Sequence, residues 1–254
     1  MIEELIGSFR FVEHKDIEEA GRPRTLLLGL PDTGLVSLIS SRHIIDALGL
    51  EEVGEVVSPA IDHISVVYEG VPKSPVRIYA GNNLAIVYMD IPLSPELQIA
   101  LAASTVDYAR LRGFDKILAL TGLPAPNRLD LEELRTYYVS PSRKMAELAE
   151  AQGVQRLRQG ILIGGFATML KETARKKVES LVLLTESYID FPDPEAAARG
   201  LQYLSKIVNL SLDVSKLLEE AELIKLRTRE LMRQTRGIMS QMKKEMEASP
   251  IIYG

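Results

Sequence analysis

The sequence of 254 residues contains no cysteine, which excludes disulfides, thiolate nucleophiles and Cys-ligated zinc. Histidine is nearly absent. His14, His43 and His63 are the only three, and no two stand at the i, i+4 spacing that places paired imidazoles on one helix face. No metal site and no cofactor are expected. No run of 18 apolar residues occurs, and the opening MIEELIGSFR carries acids where a signal peptide carries bases. These absences predict a cytoplasmic protein without a membrane partner. The formal charge of −5 lacks the cationic excess of a general nucleic-acid binder, so no nucleic-acid partner is expected.

The residues that are present fit a globular chain, 46% hydrophobic and 26% charged, long enough to bury roughly three quarters of its unfolded surface. Arg24-Thr-Leu-Leu-Leu-Gly-Leu30 is a continuous apolar run, typical of a strand covered on both faces. Pro31-Asp-Thr-Gly34 breaks it, and apolar residues then recur at helical spacing from Leu35 to Leu48, where Gly49 supplies a stop. Short strand-like runs at Val53–Val57, His63–Glu69, Val76–Ala80 and Leu84–Met89, with turn residues between them, predict hairpins. Ser94-Pro-Glu96 reads as a helix start, with the helix running to about Arg112. Beyond it, strands are predicted at Lys116–Thr121, Ile161–Ile163 and Leu181–Glu186, and helices at Pro141–Ala151 and Ala167–Glu179. This alternation predicts an α/β domain over 1–212 with a mostly parallel, helix-covered sheet.

After Asp190-Phe-Pro-Asp-Pro194 the strand signals stop. A helix to about Leu210 is followed by a long helix over 213–247, in which Val214, Leu217, Ala221, Ile224, Thr228, Leu231, Thr235, Ile238 and Met242 alternate steps of three and four. Such a repeat is the seam of a coiled coil or of a helix laid along another. The helix would be about 50 Å long, which favours projection or packing on another subunit. Lys225 to Lys244 carries seven cations against Glu230 alone. That stretch is a solvated face or a means of steering towards an acidic surface, but no aromatic falls between Tyr203 and Tyr253 to stack on bases.

Four constellations bear on function. Gly29-Leu-Pro-Asp-Thr-Gly34 has the glycine spacing of a phosphate loop, but Leu35 and Val36 stand where Lys and Ser or Thr are needed, so Asp32 is read as a helix cap. Thr121-Gly-Leu-Pro-Ala-Pro-Asn127 follows a buried strand, where open α/β sheets carry ligand loops; Asn127 and Arg128 bind a small polar group or cap a turn. Asp62, His63, Glu69 and Asp90 are acids and an imidazole with no fixed geometry, and there is no G-x-S-x-G elbow. No catalytic residue is assigned. Finally, Pro250 ends the long helix and leaves a tail over 248–254 that finishes Ile251-Ile252-Tyr253-Gly254. An apolar end of this kind either folds back onto the domain or binds something.

In this order the motifs resemble the proteasome assembly chaperone family, in particular its archaeal homologues. The resemblance runs over roughly 20–210, through Leu-Leu-Leu-Gly-Leu-Pro-Asp-Thr-Gly-Leu-Val, Val-Val-Ser-Pro at 56–59, Val-Pro-Lys-Ser-Pro-Val-Arg-Ile-Tyr at 71–79, Leu-Thr-Gly-Leu-Pro at 120–124 and Gly164-Gly165. It implies a purine nucleoside phosphorylase-like fold without the catalytic set, acting as a non-enzymatic binding scaffold, and the apolar seam adds the expectation of a homo-oligomer. Ile252, Tyr253 and Gly254 are similar to the hydrophobic-tyrosine-any motif with which proteasome activators and some assembly chaperones dock between subunits of the core-particle α-ring. The Gly254 carboxylate would pair with a lysine, Tyr253 would offer a flat ring with a polar tip, and Ile252 would fill an apolar groove. The alternative is a nucleoside- or ATP-handling enzyme or small-molecule binder that uses the loops after Leu30, Met89 and Thr121.

Overall fold

The computed structural model describes residues 1–17 and 24–219. The chain opens with a hairpin, β1 (Ile2–Ile6) and β2 (Phe9–Glu13). It turns at Gly7, whose φ of +63° is available to glycine at little cost. β3 (Thr25–Gly29) is buried along its whole length, as its unbroken apolar run requires. A short turn leads into α1 (Val36–Leu48), which Gly49 ends in the left-handed conformation. Next come β4 (Glu51–Val57), the small hairpin of β5 (Val66–Tyr68) and β6 (Val71–Lys73), and the hairpin of β7 (Val76–Gly81) and β8 (Leu84–Met89). α2 (Pro95–Leu111) starts where its cap predicts: Leu97 N–H donates to the Ser94 hydroxyl.

The second half contains β9 (Lys116–Pro124), β10 (Thr136–Val139), α3 (Arg143–Ala151), β11 (Gln155–Arg156), α4 (Gly165–Lys176), β12 (Glu179–Ser187) and α5 (Pro194–Val208). Residues 215–219 are again helical. The rest of the expected helix over 213–247, and the tail with Ile252, Tyr253 and Gly254, lie outside the described residues.

Ten strands form one sheet in the order β1-β2-β4-β7-β8-β3-β9-β12-β10-β11. The sheet is mixed, which corrects the expectation of a mostly parallel one: five neighbouring pairs are antiparallel and four are parallel. The physical reason is the connections. Helical crossovers make the central β8-β3-β9-β12 block parallel, whereas tight turns make the β1-β2 and β7-β8 pairs antiparallel, and β4 and β10 add further antiparallel pairs on either side of the block. The strand expected at Ile161–Ile163 does not form. Its central neighbour β9 is already paired on both sides, by β3 and β12, and the segment stays a loop.

Helices cover both faces. α2 and α4 close one core, around Leu28, Val87, Leu101, Ile117 and Met169. α1, α3 and α5 close the other, around Leu27, Ile44, Leu118, Met145, Leu183 and Leu201. The N-terminal hairpin is tied to the first core by Glu13, which is 1% exposed and accepts hydrogen bonds from Tyr108 Oη at 2.7 Å and Arg112 Nη2 at 3.1 Å. A buried carboxylate is tolerable only when it is paired in this way. β3 leads through α1 to one half of the sheet and β9 leads through α3 and α4 to the other. The crevice outside their carboxyl ends is therefore a topological switch point, where open α/β sheets place ligand sites.

Candidate functional site

A cleft of about 380 Å³ occupies that crevice, with Pro31, Asp32, Thr33, Thr121, Gly122 and the 157–165 segment among its walls. It joins two of the expected constellations, the turn after β3 and the loop within and after β9. Asp32 lies between them. One carboxylate oxygen accepts from Ser37 N at 3.0 Å and the other from Gly122 N at 2.9 Å. Asp32 is not the N-cap residue of α1, which is Leu35, but its bond to the second residue of the helix and its bond to Gly122 together fasten α1 to β9. Burial pushes the Asp32 carboxyl up to about 7, against the pull of these amide donors.

The glycines around Asp32 serve close packing. A Cβ on Gly34, whose φ is +64°, would lie 1.9 Å from Ser187 Oγ, and one on Gly122 would lie 2.2 Å from the Thr33 carbonyl oxygen. With backbone, Ser187 and Asp32 filling the space, the turn is a packed junction and not an anion cradle.

The loop after β9 also turns inward. Arg128 is 2% exposed and donates from Nε to Asp193 Oδ2 at 2.7 Å, from Nη2 to Asp193 Oδ1 at 3.0 Å, and from Nη2 to Glu195 at 2.8 Å. Its guanidinium lies 4.7 Å from the centre of the Tyr188 ring. Asp193 in turn caps α5 through Ala196 N and accepts from Tyr188 N. Arg128 is therefore a clamp between two loops, while Asn127 is exposed.

Asp62, His63, Glu69 and Asp90 do not gather into an acid-base group. Asp62 accepts from Ser58 N in a local turn, His63 is exposed, and Glu69 occupies the turn between β5 and β6 with φ +49°. Asp90 pairs with the buried Arg77 and accepts from Tyr68 Oη, each at 2.5 Å, while Arg77 also reaches Glu52 and stacks 4.5 Å from the Tyr68 ring centre. This network straps the β5-β6 hairpin to the sheet. The pattern of alternate residues in β7 gave no sign that Arg77 would face inward.

The rim of the cleft carries the feature that sequence reasoning misplaced. Ile161 and Ile163 are 94% and 80% exposed, while Leu162 between them packs on the core. Ile189 and Phe191, in the loop before α5, are exposed apolar side chains near the same end of the sheet. Among the described residues no cluster of His, Asp or Glu suits a metal ion and no helix is long and apolar enough to cross a membrane.

The model of the PAC2 family matches residues 26–232. A curated relative, an uncharacterised protein of Methanocaldococcus jannaschii, is 27% identical over 241 residues, covering 95% of this chain and 98% of its own. Among solved structures, Pyrococcus furiosus PbaA, described as an archaeal homolog of proteasome-assembly chaperone, is 28% identical with a TM-score of 0.77, covering 94% of this chain and 98% of that one. Pyrococcus furiosus PbaB, described as an archaeal proteasome activator, is 21% identical with a TM-score of 0.75, covering 90% of this chain and 99% of that one, and shares the fold.

Proposed function

The chain belongs to the PAC2 family, and from that premise we propose that it is a non-enzymatic proteasome assembly chaperone or activator which docks its C-terminal tail between subunits of the core-particle α-ring. The observation that carries the reading is the similarity to PbaA over nearly the whole of both chains. The inward-turned site agrees with it. Asp32, Arg128, Asp193 and Asp90, the charged groups nearest to a possible chemistry, are each committed to holding loops or helix ends. On this reading the sheet and its helices are a scaffold resembling the purine nucleoside phosphorylase fold, kept for binding, and the protein acts as a cytoplasmic homo-oligomer.

Ile252, Tyr253 and Gly254 are the docking residues in this reading. A single tripeptide contact is weak, but several tails engaging several pockets of one ring raise avidity by about 10²-fold to 10⁴-fold where the geometry permits. The test is co-purification with an archaeal core particle. The full chain is expected to be retained, and a chain lacking Ile252 to Gly254 is expected to be lost while its oligomer persists. Retention of the shortened chain defeats the tail as the docking element.

A second reading rests on the cleft. Its volume of about 380 Å³ and its place at the switch point suit a small ligand. Thermal-shift screening with nucleosides and nucleotides tests it, since a ligand at 100 times its dissociation constant stabilises the fold by about 2.7 kcal/mol. A ligand hit without proteasome binding would reverse the order of the two readings.

A further inference from the structure

One wall of the cleft is tied by hydrogen bonds only at its ends. The last backbone bond before it runs from Leu157 N to the Tyr138 carbonyl oxygen at 3.0 Å, and the next from Thr168 N to the Gly164 carbonyl oxygen at 3.1 Å. Between them, residues 158–163 make no hydrogen bond among the described residues. Leu162 packs on the core, but Ile161 and Ile163 border the cleft and stand almost wholly in water. A segment with so few bonds and contacts moves at little cost. Its junction with α4 supplies a pivot. Gly165 is fixed, because a Cβ there would lie 2.4 Å from Leu30 Cδ1, whereas nothing lies within 4 Å of a Cβ on Gly164, whose φ is +79°.

The walls limit what the cleft can hold. Leu30, Leu123, Leu157, Leu162, Phe166 and Leu184 line it, and no Lys, Arg or His does. Asp32 is the one ionisable side chain among those walls. An anion therefore meets no counter-charge, and a cation finds both carboxylate oxygens already taken, by Ser37 N and Gly122 N. Gln98 is also committed, its Nε2 donating to the Leu93 carbonyl oxygen at 2.8 Å. A charge brought into such a site loses its hydration without compensation, while apolar surface gains by leaving water. We propose that the cleft takes an uncharged, mainly apolar small molecule and that residues 158–163 swing about Gly164 to close over it, with Ile161 and Ile163 covering the ligand. Closure gives these two side chains the burial that the empty cleft withholds.

This deepens the small-ligand reading of the cleft, on which it rests, and is independent of core-particle binding. The probes are hydrocinnamide and hydrocinnamate, which share one apolar skeleton and differ in charge. Hydrogen exchange of the full chain is followed with and without each. Without a probe, the amides of 158–163 are expected to exchange rapidly, since none is bonded. Saturating hydrocinnamide is expected to slow them at least tenfold, and hydrocinnamate to leave them unchanged. Ile161→Ser with Ile163→Ser is expected to weaken hydrocinnamide binding about tenfold, by calorimetric titration, because the cover is lost while the walls remain. If the double variant fails to fold, Ile163→Ser alone carries the comparison. Unslowed exchange with hydrocinnamide, equal effects of the two probes, or unchanged affinity in the variant overturns the proposal. A nucleotide that stabilises the chain where hydrocinnamide does not would keep a ligand in the cleft and overturn this class of ligand; the absence of any stabilising compound would remove both.

Discussion

Arg128 and Asp193 meet through two parallel hydrogen bonds in the interior, joining the loop after β9 to the start of α5. The pair is shielded from water, so removing one partner strands the other. Such a break costs about 3–5 kcal/mol. Arg128→Met is expected to lower the melting temperature by many degrees. Double replacement of Arg128 and Asp193 by apolar residues is expected to recover part of that loss, leaving the deficit from the uncapped α5. Chemical denaturation of the single and double variants measures it, and additive losses would contradict a coupled pair.

Asp32 makes stability depend on pH in an uncommon direction. Its carboxyl is raised from 3.8 to about 7 in the folded chain because burial disfavours the anion. The folded state therefore holds its proton more tightly than the unfolded state. The stability this contributes is complete below pH ~4 and is lost as pH rises through about 7. Urea denaturation of the native chain and of Asp32→Asn across that window is the check. The native chain is expected to lose stability relative to the variant on going from pH 4 to 7. Parallel curves would show that Asp32 titrates as an ordinary acid.

Much of the fold was legible because it rests on local rules. β3 follows from an unbroken apolar run and α2 from Ser94-Pro95-Glu96, and the end of the strand signals at Pro194 marks where α5 begins. The N-terminal hairpin was missed because Glu13 reads as a surface residue, and its burial depends on Tyr108 of α2 and Arg112 just beyond its end, far along the chain. The same holds at the candidate site. That Asp32 binds the amides just ahead of it could be read from its neighbours, but its second bond, to Gly122, is a long-range contact. Arg77 and Arg128 look solvated in any window of sequence, since their acids Asp90 and Asp193 lie on other elements. Ile161 and Ile163 failed in the opposite way: their composition is that of a strand, but the sheet has no vacant position beside β9 for them.

The exposure of those two isoleucines yields a separation of stability from binding. Side chains that already face water contribute little to the fold, and surface replacements usually shift stability by less than about 0.5 kcal/mol. Ile161→Ser with Ile163→Ser is therefore expected to leave the melting temperature within experimental error. Its effect on co-purification with the core particle then reads their part in contact directly. A marked loss of stability would mean that the loop is covered, by a second copy or by the chain's own C-terminal segment.

The tail model makes a demand that a merely sticky apolar end would not. If the bare carboxylate of Gly254 is what a lysine between α-subunits captures, its position matters as much as the side chains before it. Two residues added after Gly254 keep Ile252 and Tyr253 intact and move the charge by roughly 7 Å, at up to ~3.5 Å per extended residue. The extended chain is expected to lose core-particle binding nearly as far as Tyr253→Ala does, with the oligomer unchanged in both. Titration against immobilised core particle compares the three. If the extension binds like the native chain while Tyr253→Ala does not, the carboxylate is irrelevant and the tail acts through its apolar surface alone.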